Sequence, residues 1–206
     1  MDQQDDYIKD IVEIRSMMER TTKFLSLSGW AGIMAGVYGL AGAGLAYKVF
    51  GFNPDDILYV SFSEAGHSLM NIILLALAIL VLAIGTAVYL SRNKAIKRGE
   101  RVWNPTSRRM LINMAVPLVV GGLFILILIS KGLIGLIAPT TLIFYGLSLY
   151  IAGKYTFEDI KVLGLLQITL GLISAYYIGY SIILWAVGFG FGHIVYGIYV
   201  HYKYEK

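Results

Sequence analysis

Glu64, His67 and Asn71 are spaced by three and four residues, so on a helix they share one face, and Glu-x-x-His is a ligand pair of di-iron helical bundles. Such bundles need a second pair and further carboxylates, which this chain lacks. The local pattern also reads more plainly. Ser61-Phe62-Ser63-Glu64 forms a capping box that opens a helix, and Asn53-Pro54-Asp55-Asp56 reads as an N-cap, a first-turn proline and dipole-compensating acids. Glu64 and His67 stand as metal candidates of low specificity, and no metal or other cofactor is assigned.

A second set is polar and uncharged. Gln167 and His193 each sit between glycines at spacings of three and four: Gly164, Gln167, Gly171 and Gly190, His193, Gly197. Pro139-Thr140-Thr141 places two hydroxyls beside a helix-breaking residue, an arrangement that lines solute sites in transporters and elsewhere makes a simple kink with back-bonded threonines. Together with Tyr38 and Tyr145, the residues Thr140, Thr141, Gln167 and His193 are the candidates for a solute path or a polar core. The chain has no Ser-His-Asp set, paired catalytic carboxylates, phosphate loop or His-rich motif, and no cysteine excludes thiol chemistry and disulfides. No catalytic residue is assigned, and the expectation is a protein that is not an enzyme.

These residues must be positioned by membrane helices. With 57% hydrophobic and only 15% charged residues, 206 residues cannot build a soluble core under a wettable surface. Apolar stretches at about 24–49, 66–90, 110–130, 133–153, 160–178 and 182–201 are each near the ~20 residues that a helix needs to cross ~30 Å of hydrocarbon. The fold class expected is all-α, a six-span integral membrane domain over 24–206 preceded by a cytoplasmic helix over 1–23. Lys9, Arg15, Arg20 and Lys23, seven basic residues between Arg92 and Arg109, Lys154, Lys161, Lys203 and Lys206 all fall on one side of this zigzag. Lys48 and Lys131 fall on the other. By the positive-inside rule both termini and the 91–109 loop are cytoplasmic, and the even span count follows. That loop's charge suits topogenesis and contact with anionic lipid, so a nucleic-acid partner is not expected. The 23 residues ahead of the first span carry six acids, and the apolar stretch after them is too long for an h-region, so no cleavable signal is expected.

Within residues 5–22, Tyr7, Ile11, Ile14 and Met18 recur at spacings of four, three and four, predicting an amphipathic helix. Its acidic balance disfavours adsorption to anionic lipid, so a cytoplasmic protein partner is the expectation. Span 1 carries Gly29, Gly32, Gly36, Gly39, Ala43 and Ala46 on one face, a small-residue stripe for packing in the bundle or at a homo-oligomer seam. Asn104-Pro105 is expected to start span 3 and Thr156-Phe157-Glu158-Asp159 to cap span 5, with Tyr155 and Ile160 as a staple. Pro117 and Pro139 are expected to kink or break spans 3 and 4. Tyr89, Trp103, Tyr150, Tyr202 and Tyr204 on one side, and Tyr47, Tyr59, Tyr176, Tyr177, Tyr180 and Trp185 on the other, form aromatic belts.

Phe144-Tyr145-Gly146-Leu147 through Gly153-Lys154-Tyr155-Thr156 and on to Asp159-Ile160-Lys161-Val162-Leu163-Gly164, with the Met17-Met18-Glu19-Arg20 approach to span 1, resembles an uncharacterised family of small bacterial six-span membrane proteins. The resemblance covers about a third of the chain; it implies a bacterial inner-membrane location and carries no activity or site to transfer. Two functions fit the residues. One is an accessory, sensory or scaffolding membrane protein, favoured by the lack of charged residues well inside any span. The other is a carrier or channel for a small neutral or weakly polar solute. Spans 5 and 6, joined near Gly179–Ser181, must form an antiparallel hairpin, in which Gly164 is expected to meet Gly197, Gly171 to meet Gly190, and Gln167 to bond His193 between them, directly or through one water.

Overall fold

The computed structural model describes residues 28–51, 62–97, 99 and 103–206, with side chains from residue 70 onward in the second segment, together with Ile11 and Ile14. All regular structure among the described residues is helical. Helix α1 is Gly29–Lys48, α2 Phe62–Lys97 and α3 Pro105–Ser130. A 3₁₀ turn at Ile134–Leu136 leads into α4, Ile137–Ala152, and α5 is Ile160–Tyr176. Helix α6 has three parts: an α-helical start at Ser181–Trp185, a π-helix at Ala186–Gly192 and an α-helical run at His193–Tyr204. Five of these segments are long and apolar enough to cross a membrane, while α5 is a shorter apolar helix of 17 residues.

Several boundaries follow from local chemistry. Asn104 caps α3 as expected, its side chain accepting the Ser107 amide at 2.8 Å while the Ser107 hydroxyl accepts the Asn104 amide at 3.0 Å. Pro105 follows in the first turn, where its missing N–H costs nothing. The two prolines act differently. Helix α3 runs through Pro117 without a break, so of the two expected effects the break is excluded. In α4 the break falls earlier, at the 3₁₀ turn, and puts Pro139 in the first turn, where amides have no intrahelical acceptor to lose. The Thr156–Asp159 capping box also does not form: Asp159 makes no cap bond, and the Thr156 hydroxyl is buried without a partner. The Asp159 carboxylate is drawn instead to the end of α6, where a cation and two phenols offer charge-assisted bonds. Tyr155 and Ile160 do share one apolar cluster.

Neighbouring helices run antiparallel and fall into two groups. Helix α1 packs between α2 and α6, and α4 packs between α3 and α5. Glycine makes both inner seams. A Cβ on Gly29 would lie 2.5 Å from the Gly197 carbonyl oxygen, and one on Gly197 would lie 2.6 Å from that of Gly29. Farther along, Gly36 faces the Gly190 carbonyl and Gly39 the Phe189 carbonyl. The small-residue stripe of α1 is thus taken up by α6 of the same chain. The second seam pairs Gly146 with Gly164, where a Cβ on either would sit 2.7 Å from the other's carbonyl oxygen. Such backbone approach is how apolar helices gain packing energy where lipid supplies no hydrophobic drive.

This arrangement overturns the expected partners of the α5–α6 hairpin. Gly164 and Gly171 turn to α4, against Tyr150 and Ile143, while Gly197 and Gly190 turn to α1, against Ile33 and Leu40. Each glycine set lies on one face, but the two faces point to different neighbours. Apolar side chains close the bundle toward its two ends. Met110, Leu149, Ala152, Ile160 and Leu163 cluster near one end, and Ala46 and Ile134, with Ile72, Ile129 and Ile182, near the other.

Candidate functional site

Between these clusters, where α6 meets α4 and α5, lies a group of buried polar side chains beside the π-helix. The π-segment, Ala-Val-Gly-Phe-Gly-Phe-Gly, is squeezed from two sides. Gly190 receives the Leu40 side chain of α1, while Gly188 faces Leu142 of α4 and the amide oxygen of Gln167. A Cβ at Gly188 would overlap that oxygen. Alternate glycines therefore let one widened turn fit between two neighbours, a local form often found at functional sites.

His193 follows directly and is 4% exposed. Its Nδ1 lies 3.1 Å from the Gly188 carbonyl oxygen, and its Nε2 lies 2.9 Å from the Tyr145 hydroxyl of α4. A carbonyl can only accept, so in the neutral ring Nδ1 carries the proton and Nε2 accepts from Tyr145. Gln167 of α5, fully buried, brings its Nε2 to 3.4 Å from the same Nδ1. That nitrogen carries the proton it gives to Gly188 and so cannot accept from the Gln167 amide; the two side chains touch without a hydrogen bond, and Gln167 Oε1 has no partner. The expected Gln167–His193 approach is present, but Tyr145 and the π-helix carbonyl hold the ring.

An aromatic column extends the group. Phe189 lies nearly parallel to the His193 ring with centroids 5.8 Å apart, and its ring is 4.8 Å from both Tyr145 and Trp185. Trp185, assigned from sequence to an aromatic belt, instead turns inward. Its indole N–H donates to the Thr141 hydroxyl at 3.0 Å, and Thr141 donates to the Ala138 carbonyl at 2.7 Å. Tyr176, Tyr177 and Tyr180 are exposed, as a belt requires.

The structure thus joins four sequence candidates, Thr141, Tyr145, Gln167 and His193, through Trp185 and Phe189. Tyr38 lies apart, on the α1–α2 contact. Thr86 spends its proton on the Leu82 carbonyl at 2.6 Å, so the Tyr38 hydroxyl donates to Thr86 at 3.2 Å. Thr140 is buried in the first turn of α4. The side chains of Glu64 and His67 lie outside the described residues, and Asn71 is exposed. Sequence reading missed Trp185 and Phe189, though their four-residue steps to His193 put all three on one helical face.

A second polar group, also missed, ties one end of the bundle. Glu205 accepts the Gly29 amide at 2.8 Å, Lys94 Nζ at 2.9 Å and His201 Nδ1 at 2.6 Å, joining the start of α1, the end of α2 and the end of α6. Partial burial raises its carboxyl pKa, but these three donors outweigh burial and hold it at about 2. Beside it, Asp159 accepts from Tyr204 at 2.6 Å, Lys203 at 3.0 Å and Tyr199 at 3.2 Å. Desolvation opposes its charge too, and the bonds from Tyr204 and Lys203 keep its pKa below the usual range. Phe157 stacks on Tyr204 at 4.0 Å and lies under the Lys94 ammonium at 5.8 Å. No family model, curated protein or solved structure matches this chain.

Proposed function

We propose that this chain is a six-span bacterial inner-membrane protein with both termini and the 91–109 loop in the cytoplasm, acting as a non-enzymatic accessory, sensory or scaffolding component. The observation that carries the functional part is how polar atoms are used. At mid-depth Tyr145, His193, Thr141, Trp185, Tyr38 and Thr86 bond mainly to one another or to backbone, as interhelical glue does. The carboxylate clasps gather where the N-terminal segment enters the bundle. In that segment Ile11 and Ile14 are helical and exposed, at 64% and 58%, two members of the apolar stripe left for a partner. A cytoplasmic protein is the partner proposed, because the segment is acidic and the lipid surface anionic.

Since the chain has no cysteine, single cysteines report topology without background. Cysteine at Arg98 should label only in opened cells or inverted vesicles, and labelling in intact cells would overturn the topology. A photocrosslinker at Ile11 or Ile14 should form a discrete protein adduct in cells; adducts with lipid alone would remove the docking role. A second reading, a carrier or channel for a small neutral solute, is favoured by one observation: Gln167, Ser174 and Ser181 each hold a fully buried oxygen without a partner.

A further inference from the structure

We propose that the facing sides of α5 and α6 form a binding site for small neutral molecules that both donate and accept hydrogen bonds, water or short polyols, in a line that runs from Ser174 and Ser181 to Gln167. This deepens the carrier reading by naming the site and the chemical class it takes. Gln167, Gly171 and Ser174 are spaced by four and three residues, so they share one buried face of α5, at which Gly171 packs on Ile143 of α4 and Gln167 reaches Gly188 of α6. Across from them, Gly188 lies against Gln167 Oε1. Because the two helices are antiparallel, stepping seven residues along each from that contact brings Ser174 opposite Ser181. The neighbouring seam gives the same level independently: from the Gly171–Ile143 contact, three residues lead to Ser174 on α5 and to Thr140 on α4.

Thr140 of α4, Ser174 of α5 and Ser181 of α6 thus share one depth, two turns from Gln167. Ser174 and Ser181 are 0% exposed and, like Gln167 Oε1, make no hydrogen bond. A hydroxyl in a helix readily bonds its own i−4 carbonyl, as Thr169 does to Leu165 at 2.9 Å. Neither serine does. Three buried oxygens left open on facing helix surfaces require partners, and a molecule with donors and acceptors close together supplies them. Among the described residues no charged side chain bonds to these oxygens, so the site suits a neutral ligand.

A double-mutant cycle in the purified full chain tests the site. If one molecule bridges the serines, Ser174→Ala and Ser181→Ala should each lower Tm by roughly 2–4 °C, and the double variant should fall no further than the worse single one. Single substitutions that leave Tm unchanged or raise it, or losses that add, would overturn the site. Gln167→Leu should couple to Ser174→Ala in the same way if the line is continuous; additivity there would confine the site to the serines and overturn the part assigned to Gln167. Stopped-flow swelling of proteoliposomes, driven separately by sucrose and by glycerol gradients, distinguishes water from polyol. Swelling no faster than in protein-free vesicles, with coupling intact, would end the carrier reading while leaving the binding site in place.

Discussion

The two glycine seams and the α5–α6 hairpin solve the same packing problem in opposite ways. At the seams, Gly29 with Gly197 and Gly146 with Gly164 bring backbone against backbone, and no side chain could enter. In the hairpin, two segments joined by a short turn meet through Gln167, His193 and the widened π-turn, with polar oxygens left open. Adjacency in the chain therefore did not select the tight contact. Small residues went where the helices of each group had to approach most closely, and the junction between the groups kept the larger polar side chains.

Substitutions can break this contrast. The largest effect is expected at the seams: Gly197→Val or Gly164→Val forces carbon against backbone oxygen and nitrogen that cannot move aside. Each should cost about 3 kcal/mol of stability, read as loss of folded protein in detergent titration. Gly122→Ala, on a face of α3 with nothing within 4 Å of the new carbon, should instead be neutral or stabilise by up to about 1 kcal/mol. Equal losses at Gly122 and Gly197 would mean that helix propensity, not approach, sets the outcome.

The clasp at the end of the bundle comes next. Lys94 and Glu205 are each 12% exposed, so Lys94→Met removes one of three donors from a carboxylate at a partly wetted rim, at a cost of about 1–3 kcal/mol, below that of a fully buried pair. Its pH dependence has a definite sign. The Glu205 pKa is depressed from 4.5 to about 2, so its contribution is complete above about pH 4.5 and is lost as pH falls through about 2. The Tm difference between wild type and Glu205→Gln should shrink over that window; a difference unchanged from pH 7 to 2 would remove the clasp's role.

Smaller effects sharpen the picture of the junction. A cycle of Tyr145→Phe and His193→Phe should reveal a coupling of about 0.6–1.7 kcal/mol, typical of interhelical hydrogen bonds in membrane proteins. No coupling would mean that the aromatic stack, not the 2.9 Å bond, orients the ring. Trp185→Phe keeps the packing on Phe189 but deletes the bond to Thr141, and should cost about 0.5–1 kcal/mol. A red-shifted Trp185 emission in a Trp30→Phe, Trp103→Phe variant, as from an exposed indole, would restore it to the interfacial belt and contradict its inward position.

Local chemistry was legible from residues alone wherever the causes lie within a few positions. The apolar helices follow from runs of hydrophobic residues, and the start of α3 follows from Asn104, Pro105 and Ser107, whose mutual bonds need no other element. The spacing of Gln167 and His193 likewise put both at one depth, because an antiparallel hairpin fixes level by counting. What counting cannot fix is rotation about the helix axis, which depends on every neighbour at once. That rotation sent the glycines of α5 to α4 and those of α6 to α1, turned Trp185 inward, and gave Asp159 to Lys203 and two tyrosines in place of its own helix cap. The π-turn belongs to the same class: its glycines permit several backbones, and only the pressure of α1 on one side and α4 with α5 on the other selects the widened one.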